Sequence, residues 1–573
     1  MTDLTLCVHA YLATTKNPDL ASCVLSIINK YFTTQITYVD ILSDEDILRD
    51  MKDNLTNSII SRQVHVSLAE YNENYLVHVG TVADFVKEFP CLIHEPAWKP
   101  TVNFLIIFNE IETDIRDIFD VLLKLHVINV LVVRATDMNL YTYNPFENYG
   151  CGKRYDRLIH YGKCSQPNVA NVYPEKVTTG LQRCNFNVET VHWPPFSINP
   201  AQTEVGGVQG VEQYILEVLA EIEHFNYTLL YTDNAERFST IDSNMSVVGP
   251  LKALRDNAVD ISMGGMLLLE ERAVAFDVLW SHLPVDEVII LVKKAEKRYT
   301  WRYITMEFPP VVWVLLVLVF LFYAWFMIKA FKVQDRALLI LNMFGALLLH
   351  SVRMRDTAVT KLVWIYWVWF AFLIGSHYTT ILTSLTTHPL EAYQISNEED
   401  LAIYKLKSCV SPIMQDVSAQ GKELTFKPEA LSHGCGNLYQ SMETVSYSET
   451  AFTFSPFAIY LYYKNEFCDA SSCRLYYFHR PMNKIMYAMY LYKGFPMMEK
   501  LHRHLMAMRE SGIIDESMDI IFRTRDLGQK GTTHEFKYIV LVPWHCLLFG
   551  MAVSTIAFAV EIILERVNRV PMS

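Results

Sequence analysis

The chain runs to 573 residues, more than one hydrophobic core organises, so several domains are expected. Apolar residues make up 51% and charged residues only 19%, and the apolar excess is gathered into a few blocks, as in membrane spans. A net charge of -13, with no basic stripe interleaved with aromatics, argues against nucleic acid as a partner, and no stretch is biased enough to read as disordered.

The start of the chain is a poor secretory leader. Asp3 stands where a basic residue is usual, and the apolar run at 4–13 is short and broken by His9. A degenerate leader, a start elsewhere, or a later span that sets the topology all fit. The soluble stretches read as α/β. Residues 102–108 and 129–133 are strand-like around a helix-like 112–125. Further on, an amphipathic helix at 211–223 precedes a strand at 227–231, another helix begins near 249–250, and 259–263 reads as a strand. A later set opens at 398–401, and 482–489 and 497–508 read as helices.

Four apolar blocks stand out at 308–328, 337–352, 362–390 and 538–560. The first is free of charge and long enough for a bilayer core of about 30 Å. The second is short and carries Asn342, Gly345 and His350. Wedged between two full spans it reads as re-entrant, although a buried helix of a soluble domain fits its length too. In the third, Ser376, Thr380, Thr383 and Thr387 recur at helical steps and share one face. Hydroxyls on one face suit a water-filled conduit, and they equally suit bonding back to their own helix. His350 falls at the tip of the re-entrant segment, where no ring of carboxylates is seen.

Lys and Arg around the spans give no consistent orientation. Lys293, Lys294, Lys297, Arg298 and Arg302 precede the first span, while Arg353, Arg355 and Lys361 precede the long one. Glycosylation sequons at Asn54, Asn226 and Asn244 all lie before the first span and favour an extracellular N-terminal region. Eleven cysteines are present, of which Cys546 lies in an apolar block. The Cys151/Cys164 and Cys468/Cys473 spacings do not repeat CxxC, and His433/Cys435 and His502/His504 are two-residue pairs common by chance, so no metal or other cofactor is expected. Disulfides suit an oxidising compartment, with connectivity open.

Several stretches carry a resemblance. Residues 375–387 read GSHYTTILTSLTT, 550–563 read GMAVSTIAFAVEII, 141–151 read YTYNPFENYGC, and 270–277 read EERAVAFD, an Arg followed five residues later by an Asp. In this order they resemble the ionotropic glutamate receptors, and more closely the divergent insect ionotropic receptors, over roughly residues 100–565. The resemblance implies a multi-domain membrane protein. An N-terminal α/β region (1–176) precedes an α/β two-lobed clamshell, like periplasmic binding proteins, encoded in two pieces (177–300 and 391–536). The α-helical pore domain has three spans and one re-entrant helix (308–328, 337–352, 362–390, 538–560), and a short tail (561–573) lies inside. It also implies a ligand-gated cation channel subunit acting in taste or smell, tetrameric with co-receptor subunits of its family, in the plasma membrane of sensory dendrites.

The departures bear on the ligand. The family's carboxylate-gripping Arg matches Arg272, but Leu267 stands at its Thr position and Gly265 at its pocket Pro. The acid that holds the ligand amine falls near 451–455, where Phe454 stands, with Glu449 close but off the alignment. A small ligand other than glutamate is implied, and a carboxylate is one candidate if the Arg grip is kept. Arg272 has a second reading, a surface pair with Glu271 or Asp277. Ser411–Pro412 reads as a helix start, either a plain cap or an anion site. Rival readings are a non-conducting ligand-binding or assembly subunit, a transporter with an external binding domain, and an anchored enzyme. For the last, GxSxG, HExxH and P-loop motifs are lacking, and no enzyme is expected.

Overall fold

The computed structural model describes residues 18–32, 36–42, 47, 51, 58–61, 73–109, 114–177, 181–202, 208–232, 239–242, 245–296, 308–331, 335–352, 357–387, 392–419, 424, 426–431, 433–469 and 472–527, with scattered helical positions between 547 and 562. Asp3, His9, Asn54, Asn244, Cys546 and the side chain of Thr387 lie outside the described residues, as does part of the last apolar block.

The N-terminal region is an eight-stranded sheet of β1 (Ile36–Leu42), β2 (Ser58–Ser61), β3 (Asn74–Val79), β4 (Asn103–Phe108), β5 (Val130–Arg134), β6 (Asn139–Tyr143), β7 (Leu158–Lys163) and β8 (Gln166–Pro167), in the order β2-β1-β3-β4-β5-β6-β7-β8. Pairing is parallel from β2 to β5 and antiparallel beyond. The central strands are apolar almost throughout because both faces are covered. Tyr75, Val77, Phe104 and Ile106 pack with Phe85 of helix α1 (Val82–Glu88) and Phe119 of α2 (Arg116–Lys124). Their neighbours Leu76, Leu105 and Ile107 point the other way, onto Leu20, Val24 and Ile28 of the helix Pro18–Tyr31.

The next strands are β9 (Asn185–Val191), β10 (Asn226–Thr232), the small hairpin of β11 (Thr240–Ile241) and β12 (Val247–Val248), β13 (Ile261–Leu267), β14 (Asp277–Trp280) and β15 (Asp286–Lys293). Those after the apolar helices are β16 (Lys407–Ser408), β17 (Ala451–Pro456), the hairpin of β18 (Cys468–Asp469) and β19 (Ser472–Cys473), β20 (Leu475–Tyr477), β21 (Asn483–Ile485) and β22 (Tyr487–Leu491). They form two five-stranded sheets. The first runs β10-β9-β13-β22-β14 and the second β16-β17-β15-β20, with β21 on β15. The chain therefore crosses between sheets twice, from β14 to β15 and back from β21 to β22. The crossings lie side by side: Tyr487 at the start of β22 donates to Asp286 Oδ2 at the start of β15, at 2.8 Å.

Residues 482–489, expected to be helical, are instead β21 and the start of β22. Met482, Met486 and Met489 mimic a helical period, but β22 is a central strand between β13 and β14, buried along its whole length, and so lacks strand alternation. The helix Val211–Glu223, here α3, lies where the sequence pattern puts it.

Three apolar helices follow, α4 (Pro310–Phe331), α5 (Arg336–Leu347) and α6 (Ala358–Thr387). By length and composition α4 and α6 are able to cross a bilayer. They meet α5 around Met327, Met343 and Trp367, with the Trp367 indole donating to the Met343 carbonyl at 3.2 Å. Outward side chains are apolar as well: Phe322 is 65% exposed and Trp369 61%, a surface suited to lipid or a partner rather than water.

The N-terminal sheet is fastened to the first of the paired sheets. Cys151 is disulfide-bonded to Cys184, Lys153 pairs with Asp260 at 2.7 Å, and the His126 ring stacks on Tyr492. In the connecting segment Lys176 is buried, its ammonium donating to the Ile128 carbonyl at 2.7 Å and Thr142 Oγ1 at 3.0 Å. Burial lowers its pKa from 10.5 to about 7. Between those two values the unfolded chain holds a proton that the folded chain releases, so folding gains stability as pH rises from about 7 to 10.5. Thermal unfolding of the detergent-solubilised chain at stepped pH is expected to show this rise, and Lys176→Met to flatten it. Equal slopes in both would mean that Lys176 stays charged when folded.

Candidate functional site

A cavity lies between the two five-stranded sheets, beside their double crossing. Its volume is about 50 Å³. The first wall is built from β9 and β13 and includes Glu189, Thr190 and Gly265; the second comprises Ile413, Met414 and Val417 of α7 (Pro412–Ala419) with Pro456 of β17; Tyr487 closes the side at the double crossing.

The first wall is shaped by a break in β13. Its register with β22 shifts between Ser262 and Met266, at Gly264 and Gly265, whose φ angles are +117° and +69°. These values favour glycine, and space demands it too: a Cβ on Gly265 would lie 2.5 Å from Trp193 Cδ1 and 2.6 Å from Phe196 Cδ2. The bulge turns both amides inward, where Glu212 Oε2 accepts from Gly264 N at 2.6 Å and Gly265 N at 3.0 Å. Glu212 Oε1 meets His282 Nε2 at 2.8 Å, with both side chains fully buried. Glu212 stands in the first turn of α3, where the next residue, Gln213, accepts from Gly210 N at 2.6 Å and Ile198 N at 3.0 Å. The helix start is thereby pinned against the loop that carries Trp193.

Arg272 is 2% exposed, so it is not a surface residue. Asp277 is occupied elsewhere, accepting from Gly494 N at 2.9 Å and Phe495 N at 3.0 Å. The Arg272 guanidinium borders the cavity, but its donors turn to the chain itself. Nε and Nη2 reach the Ser239 carbonyl at 3.2 and 2.8 Å, Nη1 reaches the Leu267 carbonyl at 3.3 Å, and Tyr490 is a further partner. Burial pulls its pKa below the ordinary value. Tyr490 Oη also donates to the Leu267 carbonyl, at 2.6 Å. Arg272 thus ties the end of β13 to the segment at Ser239.

Of the other residues singled out in sequence, Gly265 and Leu267 line the cavity. Phe454 does not: it is 4% exposed and packs in the core against Phe452. Glu449 lies on the surface near Lys293, at 3.5 Å. Ser411 precedes α7, yet its buried hydroxyl makes no hydrogen bond among the described residues, so the expected side-chain cap is not formed. Four residues that the motif reading passed over belong to the cavity: Glu189, Trp193, Thr232 and Tyr487. A hint lay in the stretch NFNVETV, where an acid interrupts a strand pattern.

On α6 the hydroxyls of Ser376, Thr380 and Thr383 bond back to their own helix. Ser376 Oγ reaches the Leu373 carbonyl at 3.4 Å, Thr380 Oγ1 the Ser376 carbonyl at 2.8 Å, and Thr383 Oγ1 the Thr379 carbonyl at 2.7 Å. Thr380 and Thr383 remain exposed on the single chain. His350, also exposed, follows α5. Asn226, at the start of the edge strand β10, is exposed. Cys435 is disulfide-bonded to Cys409, and His504 meets Glu223 at 2.9 Å.

The chain is similar to Ionotropic receptor 21a of Anopheles gambiae, with 28% identity over 263 residues. The match takes in 42% of this chain and 26% of that protein, so it spans about a quarter of that relative's length. That relative is by name an ionotropic receptor, and the likeness supports a place in the insect ionotropic receptor family. No family model matches the chain.

Two substitutions test the first wall. Arg272→Lys keeps the charge and loses the fork that reaches two carbonyls, so the solubilised chain is expected to lose roughly 1–3 kcal/mol of stability; an unchanged melting midpoint would mean the fork holds nothing. Gly265→Ala and Gly512→Ala both demand a positive φ, but a Cβ at Gly512 meets nothing within 4 Å. Gly265→Ala is therefore expected to be the more destabilising by about 1–3 kcal/mol. Equal effects would deny the tight approach to Trp193.

Proposed function

We propose that the chain is a chemosensory subunit of a ligand-gated cation channel in the plasma membrane. In this reading the two five-stranded sheets are the lobes of a clamshell, the cavity between them takes a small ligand other than glutamate, and closure opens a pore. Four subunits, some of them co-receptors of the same family, surround that pore. α5 is re-entrant, α6 lines the conduit with Ser376, Thr380, Thr383 and Thr387, and His350 stands near its tip.

One observation carries the reading. The strand that leads to α4 and the segment that returns from α6 leave the second sheet together. Ala392 N donates to the Glu296 carbonyl at 3.1 Å, and Gln394 Oε1 accepts from Ala295 N at 2.7 Å. A displacement of the second lobe would therefore pull on both helices at one point, while the first lobe is anchored to the N-terminal region. A ligand gates such a device only through its higher affinity for the closed form. Four disulfides among the described residues, Cys23–Cys164, Cys151–Cys184, Cys409–Cys435 and Cys468–Cys473, support an oxidising compartment for the N-terminal region and both lobes. The exposed sequon at Asn226 fits an extracellular face.

Cysteine at Thr380 or Thr383, in full chains co-expressed with candidate co-receptor subunits, is expected to react with water-soluble thiol reagents faster when the channel is open and to change the evoked current. Inert positions, with normal surface expression and a normal current, would place this face against lipid or protein. Ligand binding without any current, across all co-receptors tried, would leave a non-conducting subunit.

A further inference from the structure

We propose that the cavity between the lobes takes a small organic cation, a protonated amine, held by the carboxylate of Glu189. The proposal rests on reading that cavity as the ligand site. Glu189 lies in β9, whose core-facing side chains are Phe186 and Val188. The opposite parity puts Glu189 and Val191 on one face, and both line the cavity. Glu189 is 7% exposed. The Thr232 hydroxyl hydrogen-bonds its carboxylate, but Oε2 is fully buried with no hydrogen-bond partner among the described residues.

Arg272 is the other charged residue among the described lining, and it does not meet this oxygen. Its donors are set on the Ser239 and Leu267 carbonyls. A carboxylate ligand would thus face an acid, with the neighbouring guanidinium already engaged. A cation would instead meet the carboxylate of a buried acid, one oxygen of which has no partner among the described residues, and burying such a group is costly until it is paired. The aromatic lining points the same way. Tyr487, whose hydroxyl is spent on Asp286, and Trp193 both belong to the lining. Ring faces attract ammonium groups as well as apolar ones. Burial raises the Glu189 carboxyl above its usual range, as fits an acid awaiting a counter-charge.

Size narrows the class. A volume of about 50 Å³ has room for roughly three to five water-sized groups, the scale of a short alkylammonium. The second wall, with Ile413, Met414 and Val417, suits the alkyl part. The acid expected in the second lobe is replaced by Phe454 in the core, so the amine contact would have moved to the opposite wall.

The test separates ligand class from channel action by measuring binding without current. Thermal shifts of the detergent-solubilised full chain are recorded with propylammonium, propionate and propanol, and currents are recorded in parallel from full chains with co-receptors. The expected result is stabilisation by propylammonium alone, with apparent affinity lowered roughly ten- to a hundredfold in Glu189→Gln, the scale of a charge-assisted hydrogen bond. Glu189→Asp is expected to fall between the two, and serves if the Gln variant does not fold. Equal or greater stabilisation by propionate, no shift with propylammonium in the wild type, or an undiminished amine shift in both variants would each overturn the proposal. Amine binding without current would uphold the ligand class and count against the channel reading.

Discussion

Glu212 holds the cavity wall in place. A strand that bulges at Gly264 and Gly265 withdraws two amides from its ladder, and buried amides without acceptors are expensive, about 1–3 kcal/mol each. Both donate to one oxygen of Glu212, while the other oxygen meets His282 from the segment that follows β14. One side chain thereby joins three pieces of chain: the start of α3, the middle of β13 and the approach to the double crossing. Its place in the first turn of α3 adds the favourable field of a helix N-terminus. The bulge in turn gives the cavity its wall, because only there does Gly265 let the backbone lie against Trp193.

The double crossing between the sheets is built from the same economy of partners. Asp286 starts the outgoing crossing and Tyr487 the returning one; the Tyr487 hydroxyl and the amides of Glu287 and Ala458 all donate to the Asp286 carboxylate. The two crossings are held as a pair at one end, and on the far side of it each sheet has its own attachments. The N-terminal region clings to the first through Cys184, Asp260 and Tyr492. The apolar helices hang from the second through Ala295, Glu296, Ala392 and Gln394. With the attachments divided in this way, rotation about the double crossing would change the distance between the two groups rather than distort either.

How legible this was in sequence varied with the range of the interaction. The helix at 211–223 and the apolar helices declared themselves because their periodicity or composition is local. Strand β22 did not, since a strand buried on both faces shows no alternation and its methionines happen to fall at helical steps. Gly265, Leu267 and Arg272 were found by motif and do stand at the cavity. What a motif could not supply was the direction of the Arg272 fork, which depends on Ser239, 33 residues earlier in the chain. Glu212 and His282 are 70 residues apart, and nothing in either neighbourhood announces the other. Phe454 was placed by its position in a motif, which says nothing of the strand that turns it into the core.

The two walls of the cavity are chemically unequal, and that asymmetry bears on how closure and binding would be coupled. The first wall carries Glu189, Thr190 and Thr232; the second offers Ile413, Met414, Val417 and Pro456. No hydrogen bond or ion pair among the described residues reaches from Glu189 to the second wall. With the walls as they stand Glu189 is already buried and its Oε2 has no partner among the described residues, so an arrangement that holds the apolar wall over the bare acid is opposed by desolvation. A cation seated on that acid removes the penalty and leaves the apolar contacts free to act. Binding and closure would then favour each other without any group that spans the gap, because the ligand changes what the closing wall must bury. Such a device discriminates by charge first and by shape second. Its gain is set by how much costlier the uncompensated acid is in the closed form than in the open one, the differential that population shift requires.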